Sequence, residues 1–137
     1  MSLFNVFDVA GSALQAQSVR LNTTSSNLAN ANSISSSTGE TYRSRHPVFS
    51  PILKEFNEQS ASVGVRVLGI VESDKPLRRE HNPNHPMADQ DGFIYMPNVN
   101  VVEEMADMIS ASRAYQTNVE VMNSAKQMLL RTLAIGQ

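Results

Sequence analysis

The chain has 137 residues, 18% of them charged, a net charge of −2 and no cysteine. That length favours one domain with a modest core. The missing cysteines exclude disulfides, thiolate metal sites and a cysteine nucleophile, and no basic face is present of the kind nucleic acid needs. No window reaches the ~18 apolar residues of a membrane span. The run from Met1 to Asp8 lacks the basic and unbroken apolar segments of a secretory signal. The chain is therefore expected to stay in the cytoplasm unless it leaves by a route that needs no cleaved signal.

Residues 3 to 30 read as a helix. Phe7, Leu14, Leu21 and Leu28 recur at heptad spacing, and Phe4, Gly11, Ser18 and Ser25 form a smaller row beside them. Large residues alternating with small ones suit a seam that admits another backbone. Ser33 to Glu40 is rich in serine and reads as a plain flexible connector. Tyr42 to Lys54 looks extended, and Pro47 and Pro51 limit it to an edge strand or an irregular arm. Phe56 to Ala61 is a polar spacer. Val63 to Val71 alternates, with Val63, Val65, Val67, Gly69 and Val71 on one side and Arg66 on the other, which predicts a strand. Pro76 to Met87, with three prolines, reads as irregular. Asp89 to Gly92 makes a turn, and Phe93 to Met96 a short strand.

Val101 to Leu133 contains neither proline nor glycine. Val101, Met108, Tyr115, Met122 and Leu129 form one row of a helix, and Met105, Ser112, Val119, Lys126 and Leu133 a second row four residues on. Asn100 is placed to cap it, with Glu103 completing a capping box, and Gly136 to stop it. Such a rod is roughly 50 Å long at ~1.5 Å per residue, more than the rest of the chain can cover, so a partner must share the burial. The expected fold is mainly α with a small β element. Residues 1–32 and 100–137 form two long antiparallel, coiled-coil-like terminal helices, flanking a β-hairpin or extended arm over residues 33–99. An ordinary two-helix core is the alternative, but polar residues interrupt both seams, which favours helices completed by an assembly.

No catalytic, metal or cofactor site is expected. His81 and His85 have a metal-like spacing, but Pro83 between them breaks the helix that would align the rings. Asp89 and Asp91 open like a calcium loop, yet Ile94 and Asn100 stand where glycine and glutamate are required. His46 has Ser44 and Ser50 nearby with no acid or oxyanion hole assigned. Glu103, Glu104 and Asp107 are read as first-turn charge on the helix dipole. The terminal-helix methionines suit core packing or an adaptable groove. Arg113 is read as solvated, or as a contact to another subunit.

Three stretches together resemble one family. Ser26-Asn27-Leu28-Ala29-Asn30-Ala31-Asn32 is similar to the signature of the bacterial flagellar rod and hook proteins, with Ser33 where threonine is usual. Arg113 to Asn118 resembles their C-terminal helix. Asn82 to Pro86, Ala88 to Phe93 and Met96 to Val99 resemble the middle of the proximal rod members. The resemblance implies a structural protein, exported without a cleaved signal through the flagellum-specific type III apparatus. It would assemble in the periplasm as part of the drive shaft. Implied partners are other rod proteins, copies of itself, the ring–rod junction protein and the basal ring, with no nucleic acid and no membrane insertion. Leu14, Leu21, Asn27, Leu28, Asn30, Arg113, Tyr115, Asn118, Met122 and Leu129 are the expected subunit-interface residues, with Asn27 and Asn30 bonding backbone groups where helix gives way to arm. The rival readings are a soluble helical adaptor or export chaperone and, with least support, a muramidase, which would need paired carboxylates at a cleft.

Overall fold

The computed structural model describes residues 3–52 and 63–135. Helix α1 (Leu3–Asn30) and helix α2 (Val101–Ile135) enclose four strands in sequence: β1 (Arg45–Ile52), β2 (Gly64–Glu72), β3 (Arg78–His81) and β4 (Phe93–Met96). The strands pair as two antiparallel two-stranded ribbons, β1–β2 and β3–β4, so the architecture is mainly α with a small β component. Asn100 caps α2, its Oδ1 accepting from the Val102 N–H at 3.2 Å and the Glu103 N–H at 3.5 Å. The expected stop at Gly136, the Phe56 to Ala61 spacer and the Phe4 side chain lie outside the described residues.

The helices run antiparallel. Asn27 meets Glu104, Arg20 meets Asp107, and Val6 and Val9 share a groove with Asn118 and Val121. On α2 the buried row is Glu104, Ala111 and Ala125, with Asn118 half-buried among them. Met108, Met122 and Leu129 flank it, half-buried. This corrects the second row expected for α2. Met105 and Leu133 are 52% and 68% exposed, and Val119 and Lys126 also face out. On α1 the buried residues are Ala10, Ala16, Thr23, Thr24 and Asn27, whereas Phe7, Leu14, Leu21 and Leu28 are half-buried and Ser18 and Ser25 exposed. The reason is steric: alanine and threonine let two backbones approach, so the small rows take the centre and the large side chains are left at its rim. The Thr23 hydroxyl is buried at no polar cost, because it donates back to the Val19 and Arg20 carbonyls at 3.0 and 2.9 Å.

The other side of α1 packs on the β1–β2 ribbon. Ser12 Oγ accepts from the Val65 N–H at 3.1 Å. Gly64 is needed beside it, since a Cβ there would lie 3.0 Å from that same oxygen. Pro47 and Pro51 are tolerated because both strands of a two-stranded ribbon are edges. The expected alternation of β2 breaks at a bulge: Val48 pairs with Gly69 and Phe49 with Val67, leaving Leu68 extra. Beyond it the faces exchange, and Ile70 lines a shallow groove with Val19 and Thr23 on α1.

Strand β3 is a correction to the irregular segment expected there. Arg78–His81 has no apolar residue and is exposed throughout, so no alternation announces it. Its pairing with β4 is supported across the strands, with the Arg79 guanidinium 4.4 Å from the Phe93 ring centre and His81 edge-on to the same ring. The Asp89 turn closes the hairpin as expected. Asp89 Oδ1 accepts from the Asp91 and Phe93 N–H groups at 3.0 and 2.8 Å, and Gly92 has φ +79°. Ser33 to Glu40 is docked rather than a loose connector: Ser35 exchanges both backbone hydrogen bonds with Tyr95 at 3.1 Å, and Ser35 and Thr41 are buried and bonded to each other.

Candidate functional site

Asn27, fully buried, joins the three parts of the molecule. Its Nδ2 donates to the Arg45 carbonyl and to Glu104 Oε1, both at 2.8 Å. Its Oδ1 accepts from the Tyr42 hydroxyl at 2.8 Å and the Arg45 N–H at 2.9 Å. One side chain thus clamps α1 to α2 and both to the start of β1, with all four of its hydrogen-bonding positions filled. Asn98 does the same for the next layer. Its Oδ1 accepts from the Ser44 N–H at 2.8 Å, and its Nδ2 donates to the Ser73 and Lys75 carbonyls at 3.2 and 2.8 Å. The arm is therefore fastened where it leaves α1 and where it returns to α2.

Electrostatics at this junction follow from burial. Desolvation raises the Glu104 carboxyl above its usual range, against the hydrogen bond from Asn27 and the nearby His46, while Asp107 and Glu103 add to the rise. The Tyr42 phenol is also raised by burial, offset in part by the Arg45 guanidinium. Arg20 pairs with Asp107 at 2.6 Å farther along the seam.

The second feature is what the fold leaves uncovered. Among the described residues the buried apolar side chains are five alanines with Ile94, Val99 and Pro97. By contrast Val101, Val102, Met105, Ile109, Val119 and Leu130 on α2 are exposed. Their spacing sets most of them along the side of α2 turned away from α1. Several large apolar side chains facing water on one side of a helix favour an interaction face.

Of the residues expected at subunit contacts, Asn27 belongs to the junction, and the others are half-buried or exposed elsewhere on the two helices. Asn27 has no accessible surface, and its groups are spent within the chain. Asn30 donates to the Ser26 carbonyl at 2.8 Å, and Asn118 to the Ala114 carbonyl at 2.8 Å. Leu14, Leu21, Leu28, Met122 and Leu129 are half-buried along the rim of the seam, and Arg113 and Tyr115 are exposed. Sequence reasoning missed Glu104, Tyr42, Ser44 and Asn98. Glu104 carries a signal, standing one heptad before Ala111 and two before Asn118, but Glu103 and Asp107 beside it give it the look of first-turn charge. His81 and His85 sit apart in role: His81 meets the Phe93 ring edge-on, and His85 Nδ1 accepts the Met87 N–H at 3.1 Å.

Comparison with known proteins adds an independent line. Residues 7–33 match the family model described as flagella basal body rod protein, and residues 90–135 the one described as flagellar basal body rod FlgEFG protein C-terminal. The chain is 47% identical over 137 residues to the flagellar basal-body rod protein FlgC of Salmonella typhimurium, and 48% identical over 137 residues to that of Yersinia enterocolitica, covering 100% of each. Against FlgC of Borreliella burgdorferi the identity is 38% over 151 residues, with 100% of this chain and 99% of the relative covered.

Proposed function

With the chain belonging to the FlgC family of flagellar basal-body rod proteins, we propose that this structural rod subunit carries torque by packing its two helices against neighbours in the proximal rod. The observation that carries this reading is the inversion of its burial, with alanines at the centre of the seam and Val102, Met105, Ile109 and Leu130 of α2 exposed. Burying such a residue stabilises by about 1.5–3 kcal/mol, so a stripe of them rewards lateral contact far more than the isolated chain can use. In the assembly the seams wind on neighbouring helices in coiled-coil fashion, residues 1–32 and 100–137 forming the tubular core and 33–99 the outward arm. Other rod proteins and further copies of this chain are the partners, with the ring–rod junction protein and basal ring at the inner end, after export through the type III apparatus without a cleaved signal. Leu14, Leu21, Leu28, Asn30, Arg113, Tyr115, Asn118, Met122 and Leu129 make the contacts at the rim, while Asn27 acts indirectly by holding the junction. The relatives are named as flagellar basal-body rod proteins, which supports the structural reading over the adaptor or chaperone one.

The test is complementation of a strain lacking the native subunit with Met105→Asp/Val119→Asp. Both side chains are exposed, so the isolated variant keeps the far-ultraviolet circular dichroism of the parent. The expected result is secretion without incorporation into purified basal bodies, and no swimming. Leu21→Asp is expected to do the same. Normal swimming and normal incorporation of both variants would refute the proposal.

A further inference from the structure

Two seats on α2 are open to α1. Helix α2 has 35 residues and α1 has 28, so a second full-length seat lies one heptad farther along α2. The seam itself does little to choose between them. Its buried rows are mostly alanine and threonine, and a slide of seven residues sets small side chains on small ones. Val9, now beside Asn118, meets Ala125, and Asn27 exchanges Glu104 for Ala111. In place of the polar first turns of α2, the second seat covers Leu129 and the 51%-exposed Met128. The folded chain nevertheless takes the first seat.

What separates the seats is polar. Asn27 Nδ2 donates to Glu104 Oε1 at 2.8 Å in a buried contact, and farther along the seam Arg20 meets Asp107 at 2.6 Å. Both contacts are lost in the second seat, where Arg20 faces Ala114. Glu104 is poor core material: it is 3% exposed, and its Oε2 is buried with no hydrogen-bond partner among the described residues. A well-packed apolar pair would hold the helices together at least as well. A buried polar contact kept at such a cost is a known way for helix pairs to fix their register. Asn27 also holds the Arg45 backbone, while Asn98 ties Ser44 beside it to the entry of α2. Helix α1 therefore cannot slide without releasing the arm, to which Ser12 adds one more hydrogen bond at Val65.

We propose that the Asn27–Glu104 contact, backed by Arg20 and Asp107, is a register lock. It selects the first seat over the one a heptad on, and so keeps the apolar end of α2 bare. The lock is a property of the single chain; the rod reading supplies only the use of the bare end.

The chain has no cysteine, so engineered pairs report the seat. Val6 and Val121 line one groove, and a disulfide in Val6→Cys/Val121→Cys traps the first seat. Val6→Cys/Met128→Cys traps the second, because seven residues of helix span roughly 10 Å, beyond the ~7 Å between Cα atoms at which a disulfide closes. Each pair is oxidised in the full chain in glutathione buffer, and closure is followed by gel mobility. In the parent background the Val121 pair is expected to close roughly tenfold faster or more. In Asn27→Ala/Glu104→Ala, which favours helix at both positions, that preference is expected to vanish or reverse. Adding Leu129→Asp, which spoils the second seat, is expected to restore it. A lock-free chain that keeps the parental preference overturns the lock, as does equal closure of the two pairs in the parent. Loss of helical circular dichroism in the lock-free chain overturns it too, since the contact then serves the fold and not the choice of seat. All of this is read on the isolated chain, so it is independent of incorporation into basal bodies, which tests the rod reading.

Discussion

Asn27→Ala measures the junction most directly. The substitution removes four hydrogen bonds of 2.8, 2.8, 2.8 and 2.9 Å from a residue with no exposure. At about 1 kcal/mol net for each, the ceiling is near 4 kcal/mol before any cavity is counted. The Tyr42 hydroxyl and the Arg45 backbone lie at half-buried or exposed residues, and water recovers part of their loss. Glu104 does not recover, because removal of Asn27 leaves both of its oxygens buried and unpartnered. The expected destabilisation is about 3 kcal/mol. In urea unfolding followed by circular dichroism, that moves the midpoint down by about 2 M with the slope unchanged. Asn27→Asp is expected to cost more at neutral pH, since it sets a carboxylate oxygen against Glu104, and to ease as the pH is lowered. A loss below about 1 kcal/mol for Asn27→Ala, with the slope intact, would refute the view that this side chain clamps the three parts together.

Two further expectations concern other sites. For Glu104 the folded chain holds its proton more tightly than the unfolded one, whose value lies near the ordinary 4.5. Stability from this group is then fully present below that value and falls as pH rises through the raised folded pKa; Glu104→Gln should flatten that decline, as seen in thermal midpoints across an acid-to-neutral series. Gly92→Ala forces a side chain onto φ +79° and places a Cβ 3.1 Å from the Pro83 Cβ. We expect a cost of about 1–2 kcal/mol and faster hydrogen exchange at the Phe93 amide, while the amides of α1 remain as slow as in the parent.

The elements with a strong local signal were legible in the chain. Helix α1, the start of α2, strand β2 and the Asp89 turn follow from periodicity, an asparagine cap and an aspartate–glycine pair. What escaped has a common physical basis. The buried rows are built from Ala10, Ala111 and Ala125 and from polar Thr23, Asn27 and Glu104. A reading weighted by side-chain size picks out Met105, Val119 and Leu133 instead, which face outward. Strand β3 escaped because RREH is shaped by its partner strand rather than by its own composition. The Ser33 to Glu40 segment escaped because its order comes from a backbone exchange with Tyr95, more than fifty residues away. At the junction, Asn27 was legible as a backbone-binding asparagine, but that it consumes Glu104 as well required the pairing of distant helices.

Helix α2 is 35 residues long and α1 is 28, and with Asn5 and Val6 lying beside Asn118 and Val121, about the last three turns of α2 pass beyond the beginning of α1 at ~3.6 residues per turn. In the proposed rod, units of that shape would meet in steps, like staggered courses of brick. A sideways load on such a column would find no flat joint running straight across it, so each layer would be braced against shear by the one above and below.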